Sequence, residues 1–291
     1  MDAGLFDIFA LPFMARALVT IAVLAVAAGI VGLGISFREL EFVSDGLVHA
    51  VFPGLVIGAA LGGTAGVLPG ALIAALATAV LFTFLGGIGA GGERRGLGSD
   101  AAIAVVLTGL FSLGIVLVSR QEGYVSQVQE LLFGRLLTVT ETQFWQILVV
   151  SIIAVWIMLS TARAQLFRSF DPEGFEAAGH HPRRTDLALA VAVALLVVAG
   201  VQALGVLMVL ALLTVPMAVA RLVTSRFALL VPIAIVVPFL AGVLGLWLAF
   251  DWSVRTDASV SPGAVVVLVL IGFYALAILV RAIAGGLRGA R

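Results

Sequence analysis

Residues 42–61 read FVSDGLVHAVFPGLVIGAAL, and this stretch decides the class of fold. Its length equals the roughly 20 predominantly apolar residues that an α-helix needs to cross the hydrocarbon core of a bilayer. A backbone in lipid has no water to bond with, so only helices and closed barrels can span a membrane. The stretch therefore predicts a transmembrane helix.

Two ionisable residues, Asp45 and His49, lie within this span. A charged side chain at the bilayer centre costs about 2.5–3.5 kcal/mol on insertion scales, so such residues are usually functional. A spacing of four places both side chains on one face of a helix, where a carboxylate and an imidazole can bind one divalent cation. The structural alternative is that Asp45 caps the helix start and His49 forms a hydrogen bond inside a helix bundle.

The rest of the chain has the same apolar character. Its 291 residues are 62% hydrophobic and 11% charged, which is too apolar for a soluble domain. We expect residues 1–291 to form one all-α, polytopic membrane domain with about nine transmembrane helices, or eight as the alternative. The apolar runs lie at about 13–35, 42–61, 65–86, 100–118, 143–161, 186–204, 205–223, 227–249 and 262–283.

Arginine predicts the orientation, because cytoplasmic loops are enriched in basic residues. The connection at 250–261 carries two acids and one base and is predicted to lie outside. Nine crossings then place the N-terminus outside and the C-terminus in the cytoplasm. The amphipathic stretch 120–141 is expected to lie on, or dip into, the outer face. The arginines placed in the cytoplasm are Arg94, Arg95, Arg163, Arg168, Arg183, Arg184, Arg281, Arg288 and Arg291.

The residue types that the chain lacks exclude several activities. All 16 basic residues are arginine, so a phosphate-binding loop with its lysine is impossible and this chain does not hydrolyse ATP. A formal net charge of zero gives no basic surface for nucleic acid. The absence of cysteine excludes thiolate metal sites. We find no nucleophile and base for an enzyme, and we expect no cofactor of the chain's own.

The longest polar connection, at about 162–185, contains the signals of a short helix. Asp171 suits the N-cap and Pro172 the first helical position. Glu173 suits the positive end of the helix dipole, and Gly179 suits the left-handed residue after the helix end.

A helix of about two turns is marginal alone in water, so we expect this one to dock on another surface. Phe175 is the candidate anchor, with acids such as Glu176 orienting the contact. The alternative is a loop helix that lies on the protein's own cytoplasmic face.

Four strings in this order resemble the membrane permeases of bacterial ABC importers for zinc, manganese and iron(II), the ABC-3 family. The resemblance covers about residues 13–280. In one departure, Val48 precedes the histidine where the family usually has a small or hydroxyl residue. The strings are SDGLVHAVFPG at 44–54, LLFG at 131–134, FDPE and AAG within 170–179, and LG, ALLTVP and A within 204–220.

The resemblance implies a permease in the bacterial plasma membrane, surrounded by lipid and paired with a second copy of itself. It also implies a cytoplasmic ATP-binding subunit that hydrolyses ATP and an extracellular metal-binding protein that delivers Zn²⁺, Mn²⁺ or Fe²⁺ to a pathway at the dimer interface. Asp45 and His49 match the family's metal-coordinating pair. The family's coupling helix matches Asp171, Pro172, Glu173, Phe175, Glu176 and Gly179.

Two other transport functions are open. A permease for metal chelates such as siderophores, haem or cobalamin would need a wide apolar pathway rather than ligands, and the Asp45–His49 pair argues against it. A secondary metal transporter would work without any ATPase. Neighbouring genes for a phosphate-loop ATPase and an exported binding protein would argue against the secondary transporter.

Overall fold

The computed structural model describes residues 8–84, 97–119, 132–256 and 260–289, and these residues form helices and no strand. The predicted all-α class is confirmed. In this described part of the chain, seven helices are long and apolar enough to cross a membrane, and the short α5 is not among them. The helices are α1 (Pro12–Phe37), α2 (Glu41–Phe84), α3 (Leu97–Val118), α4 (Glu141–Phe170), α5 (Pro172–Ala177), α6 (Pro182–Val223), α7 (Phe227–Thr256) and α8 (Pro262–Gly289), with 3₁₀ turns at Ile8–Ala10 and Leu136–Thr138.

Helix α2 is a hairpin of two helical segments. Its backbone leaves helical geometry at Gly62 and Gly63, and Gly63 has a φ of +57°. In a continuous helix Gly58 and Gly66 would lie about 12 Å apart along the axis. A Cβ built on Gly58 would instead overlap the backbone of Gly66. The chain therefore turns back on itself, as the separate apolar runs on either side of the break predict.

Glycines allow the two segments of α2 to touch through their backbones. A Cβ on Gly54 would collide with Gly70 and Ala74, so the contact repeats one turn away from the Gly58–Gly66 pair. Small residues spaced by four let membrane helices approach this closely. Close backbone packing is therefore the role of the glycines in this hairpin.

Helix α6 breaks in the same way at Gly205, whose φ is +76°. A Cβ on Gly200 would lie 2.6 Å from a methyl group of Val209, although a continuous helix would hold these residues about 13 Å apart. Within the described ranges, seven membrane-length helices with one break each in α2 and α6 contain nine helical segments. Each segment contains most of one apolar run of the sequence.

Side-chain contacts define one end of the bundle, which we call the α5 end. The ring of Phe37 lies 5.5 Å from that of Phe170 and 5.7 Å from that of Phe227. Arg221 Nη1 donates a hydrogen bond of 3.2 Å to the carbonyl of Ser36. The ends of α1, α4 and α6 therefore meet the start of α7, next to α5.

The opposite end of the bundle brings two of the sequence strings together. The Arg135 amide donates a hydrogen bond of 3.0 Å to Ala203 O, and a Cβ on Gly134 would lie 2.6 Å from the same carbonyl oxygen. Gly134 has a φ of +75°. Residues 132–134 of the LLFG string therefore pack on the turn at Gly205, and the close approach confines positions 134 and 205 to glycine.

The structure shortens the polar connection expected at 162–185 to residues 171–181. Helix α4 continues to Phe170, and α6 begins at Pro182. The helix extends beyond its apolar run because Gln165 and Arg168 are buried at its end. Of the other predicted loop segments, residues 85–96, 120–131 and 257–259 lie outside the described residues.

Candidate functional site

Asp45 and His49 lie on one face of the first segment of α2. His49 Nε2 is 3.3 Å from Asp45 Oδ1. Helix α2 begins at Glu41, so Asp45 follows the first helical turn and does not cap the helix. The spacing of four has therefore placed the carboxylate and the imidazole together, and the capping alternative is excluded.

The second ring nitrogen of His49 has no protein partner among the described residues. His49 Nδ1 is buried and makes no hydrogen bond there, and the ring packs edge-on against Phe111 with 5.0 Å between ring centroids. The side chains of His49 and Asp45 are 20% and 34% exposed. The pair is thus reachable from outside the chain, while an aromatic ring supports the imidazole.

The distance between the two polar atoms fits a shared metal ion. Metal–nitrogen and metal–oxygen bonds of about 2.0–2.2 Å, at angles of about 90–110°, separate two ligand atoms by about 3.0–3.5 Å. The observed separation is 3.3 Å. The described part of the chain holds no group of three or more His, Cys, Asp or Glu side chains that could bind a metal. Within the described residues of one chain, the geometry therefore offers two candidate ligands at this point.

Glu41 is a second acidic residue on this face of α2, one turn before Asp45. The sequence analysis missed it because it precedes the apolar run, although the 41, 45, 49 spacing identifies it. Glu41 lines a cavity of about 260 Å³ at the α5 end of the bundle. The other residues around the cavity are Ser36, Thr214, Val215, Ala218, Arg221 and Tyr274.

The start of α5 agrees with the sequence prediction. The Gly174 amide donates a hydrogen bond of 2.8 Å to Asp171 Oδ1, which makes Asp171 the N-cap. Pro172 occupies the first helical position, and Glu173 lies in the first turn. Each signal acts within one turn of the chain, so the boundary could be read from local sequence.

The end of α5 also follows the prediction. Gly179 has a φ of +80°. Its amide donates to Glu176 O at 3.0 Å, and the His180 amide donates to Phe175 O at 3.3 Å. These two bonds form the Schellman motif that commonly ends a helix at glycine.

The side chain of Phe175 does not point towards a partner, although the sequence predicts that it would. It is 1% exposed and packs against Phe167 and His180, with ring centroids 5.4 and 4.8 Å away. The expected docking anchor therefore holds α5 on this chain's own helices, because a helix of six residues needs a buried apolar contact to persist. Exposed residues on α5 include Asp171, Pro172, Glu173 and Glu176.

The ABC 3 transport family model matches residues 10–281. This chain belongs to the ABC 3 transport family. Two of the strings quoted from the sequence meet at one end of the bundle, at Gly134 and Gly205, and a third begins α5 at the other end. The resemblance seen in the sequence is thereby confirmed.

Curated relatives in the ABC 3 family carry metal-transport names. The chain is 28% identical over 248 residues to the manganese transport system membrane protein MntC of Halalkalibacterium halodurans, covering 85% of this chain and 82% of that protein. It is 28% identical over 268 residues to the chelated iron transport system membrane protein YfeD of Yersinia pestis, covering 92% and 86%.

Solved structures show the same fold. The chain superposes on PsaBC from Streptococcus pneumoniae, determined in complex with Fab, with a TM-score of 0.80, 25% identity and 95% of each chain covered. It also superposes on a metal-chelate type ABC transporter in an inward-facing conformation, with a TM-score of 0.69, 16% identity and coverage of 91% and 85%. The second likeness concerns the fold alone. The architecture is that of an ABC importer permease.

One group of buried charges in this ABC 3 chain was not found from the sequence. Arg168, expected as a cytoplasmic loop residue, is 4% exposed, and Asp186, at the edge of an apolar run, is 2% exposed. Arg168 Nε donates to Asp186 Oδ1 at 2.8 Å. The sequence offered one signal, the single acid Asp186 at the start of an apolar run. Its partners Arg168 and Arg38 lie in other segments of the chain, so the pairing could not be predicted.

Proposed function

We propose that this chain is the membrane permease subunit of an ATP-driven importer for divalent transition-metal ions such as Mn²⁺, Fe²⁺ or Zn²⁺. The observation that carries the proposal is the Asp45–His49 pair, with 3.3 Å between its oxygen and nitrogen atoms in a span that is otherwise apolar. The manganese and iron names of the relatives support the same class of cargo.

The ligand types match this cargo. Carboxylate oxygen and imidazole nitrogen suit Mn²⁺, Fe²⁺ and Zn²⁺, whereas thiolates would select softer ions more strongly. Two ligands from one chain are too few to hold an ion tightly. In a two-fold dimer the same pair from each copy would supply two carboxylates and two imidazoles, and the ion would still be able to leave.

The assembly that we propose contains two copies of this permease in the bacterial plasma membrane. A cytoplasmic subunit binds and hydrolyses ATP, and an extracellular protein delivers the metal. Arginine supports a cytoplasmic α5 end, because basic residues favour that side and Arg183, Arg184 and Arg226 lie exposed there. The N-terminus is then outside and the C-terminus in the cytoplasm.

In this mechanism the metal enters from the outer side and pauses at Asp45 and His49. Closure of the ATP-binding subunits moves α5, which is rigid enough to transmit force because it is capped at both ends. The ion then leaves towards the cytoplasm. Glu41 lies in that direction, one turn further along α2, in the cavity at the α5 end.

Equilibrium Mn²⁺ binding and ATP-driven Mn²⁺ uptake in proteoliposomes test the proposal. Asp45→Asn and His49→Gln are expected to abolish uptake and to weaken binding, with the complex still assembled. A matched control is Asp251→Asn, because Asp251 also pairs with a residue four positions later, Arg255 at 2.8 Å, and its side chain is 35% exposed. Full Mn²⁺ binding by both variants would falsify the ligand assignment.

A further inference from the structure

A buried cluster of charges lies between α5 and the start of α2. Arg168 Nε and Nη2 donate hydrogen bonds of 2.8 and 3.0 Å to the two carboxylate oxygens of Asp186. Arg38 Nη2 also donates to Asp186 Oδ1. The side chains of Arg38 and Asp186 are 7% and 2% exposed. We call Arg38, Arg168 and Asp186 the charge cluster.

The charge cluster joins segments that are far apart in the chain. Arg38 lies in the turn between α1 and α2, Arg168 two residues before the end of α4, and Asp186 near the start of α6. Gln165 adds two bonds to this junction: its Nε2 donates to Thr185 O at 2.7 Å, and its Oε1 accepts from Arg38 Nη1 at 3.3 Å. Three helix ends are therefore held at one point.

Helix α5 contacts the charge cluster directly. Arg168 Nη1 lies 3.7 Å from Glu176 Oε1, and Arg168 Cζ lies 5.8 Å from the centroid of the Phe175 ring. A displacement of α5 must therefore either break these contacts or move Arg168 and its partner Asp186.

Arg38 connects the charge cluster to the helix that carries the proposed metal ligands. Arg38 is three residues before the start of α2 at Glu41 and seven residues before Asp45. The Leu40 amide donates a hydrogen bond of 2.9 Å to Ile35 O, which makes the intervening turn compact. A shift of Arg38 is thus passed to the helix segment that carries Asp45 and His49.

The structure also leaves room for such a movement. A cavity of about 510 Å³ borders the charge cluster and is lined by Arg168, Glu176 and Asp186 together with Thr83 and Phe84 at the end of α2. Both ends of the α2 hairpin thus approach the same junction.

Stability alone does not explain why this junction is ionic. Replacing a buried ion pair or triad with apolar residues of similar volume is often neutral or stabilising. An arginine fork on a carboxylate fixes direction as well as distance, which apolar packing does not. The cluster is suited to transmitting movement between helices as a stiff joint.

We propose that Arg38, Arg168 and Asp186 are positioning residues that transmit the movement of α5 to the start of α2, and so couple ATP hydrolysis to metal release. The inference rests on the proposed function. None of the three side chains needs to touch the metal or the nucleotide.

The test measures Mn²⁺ uptake and ATP hydrolysis together in proteoliposomes that contain the full complex. The triple variant Arg38→Met, Arg168→Met and Asp186→Leu replaces the charges with apolar side chains of similar size. We expect assembly and equilibrium Mn²⁺ binding as in the wild type, and a fall of about tenfold in Mn²⁺ ions moved per ATP, within the usual range of coupling between sites. An unchanged ratio would overturn the proposal.

A conservative variant covers the case in which the triple variant does not assemble. Arg38→Lys keeps the charge but loses the planar fork, so the transport ratio is expected to fall with Mn²⁺ binding unchanged. A normal ratio for Arg38→Lys would also overturn the proposal. The control Asp251→Leu with Arg255→Met removes an exposed ion pair and should leave the ratio unchanged. Absence of uptake by the wild-type complex would instead count against the proposed function.

Discussion

Arg168 and Asp186 form a two-bond contact, with distances of 2.8 and 3.0 Å, in which both side chains are almost completely buried. Because the pair is buried, removing one partner affects the stability of the protein more than removing a partner of an exposed ion pair does. Removing one partner of a buried pair leaves an uncompensated charge in a poorly solvated site. Stability measurements can therefore separate this contact from the exposed contacts of α5.

The first prediction concerns the stability of this junction. Asp186→Ala leaves the guanidinium groups of Arg38 and Arg168 without their buried carboxylate and is expected to cost about 3–5 kcal/mol. Thermal unfolding of the detergent-solubilised permease measures the loss. Glu176→Gln, which changes a side chain that is 54% exposed, should cost less than about 1 kcal/mol. Equal losses of stability for the two variants would contradict the conclusion that Asp186 holds a buried ion pair that stabilises this junction.

The second prediction concerns metal preference. His49→Cys replaces an imidazole with a thiolate, which favours softer ions. Competition binding is expected to show a shift from Mn²⁺ towards Zn²⁺ relative to the wild type. Ser151→Cys serves as the control, because it adds a thiol at a buried position in α4 away from Asp45. The same shift in the control would show that the preference is not set at the proposed site.

The third prediction separates the inner and outer faces of α5. Phe175→Ala removes the buried ring and is expected to release the helix, seen as faster hydrogen exchange over residues 171–181, since truncating a buried phenylalanine typically costs about 3–5 kcal/mol.

Glu173→Lys changes an exposed residue of the same helix. Because the lysine opposes the helix dipole only by about 0.3–1 kcal/mol, it should speed hydrogen exchange at α5 far less than Phe175→Ala does, while weakening binding of the ATP-binding subunit in a pull-down with purified components. Unchanged binding by this variant would remove Glu173 from the proposed contact.

The fourth prediction concerns the α2 hairpin. Gly58→Ala places a methyl group into the backbone of Gly66, and overpacking of this kind typically costs about 1–3 kcal/mol. Gly109→Ala is the matched control, because a Cβ there would meet no atom within 4 Å. Thermal unfolding in detergent is expected to show a lower midpoint for Gly58→Ala alone.

Local features were readable from the sequence because each depends on residues within a few positions of one another. Helical periodicity alone places Asp45 beneath His49, and the N-cap and left-handed glycine alone set the bounds of α5. The breaks at Gly62–Gly63 and Gly205 separate apolar runs whose lengths already match single spans. The all-α class follows from the same lengths, since lipid leaves the backbone no partner outside its own helix.

Contacts between distant segments required the tertiary structure. Arg38 and Asp186 are 148 positions apart, and no local pattern tells an arginine in a loop from an arginine that meets a buried carboxylate. The direction of Phe175 was likewise decided by the surface that the end of α4 offers to it. The sequence determined which segments are helices, because hydrogen bonding in lipid is local. Packing alone decided which charged and aromatic side chains join those helices, because it depends on how separate segments come together.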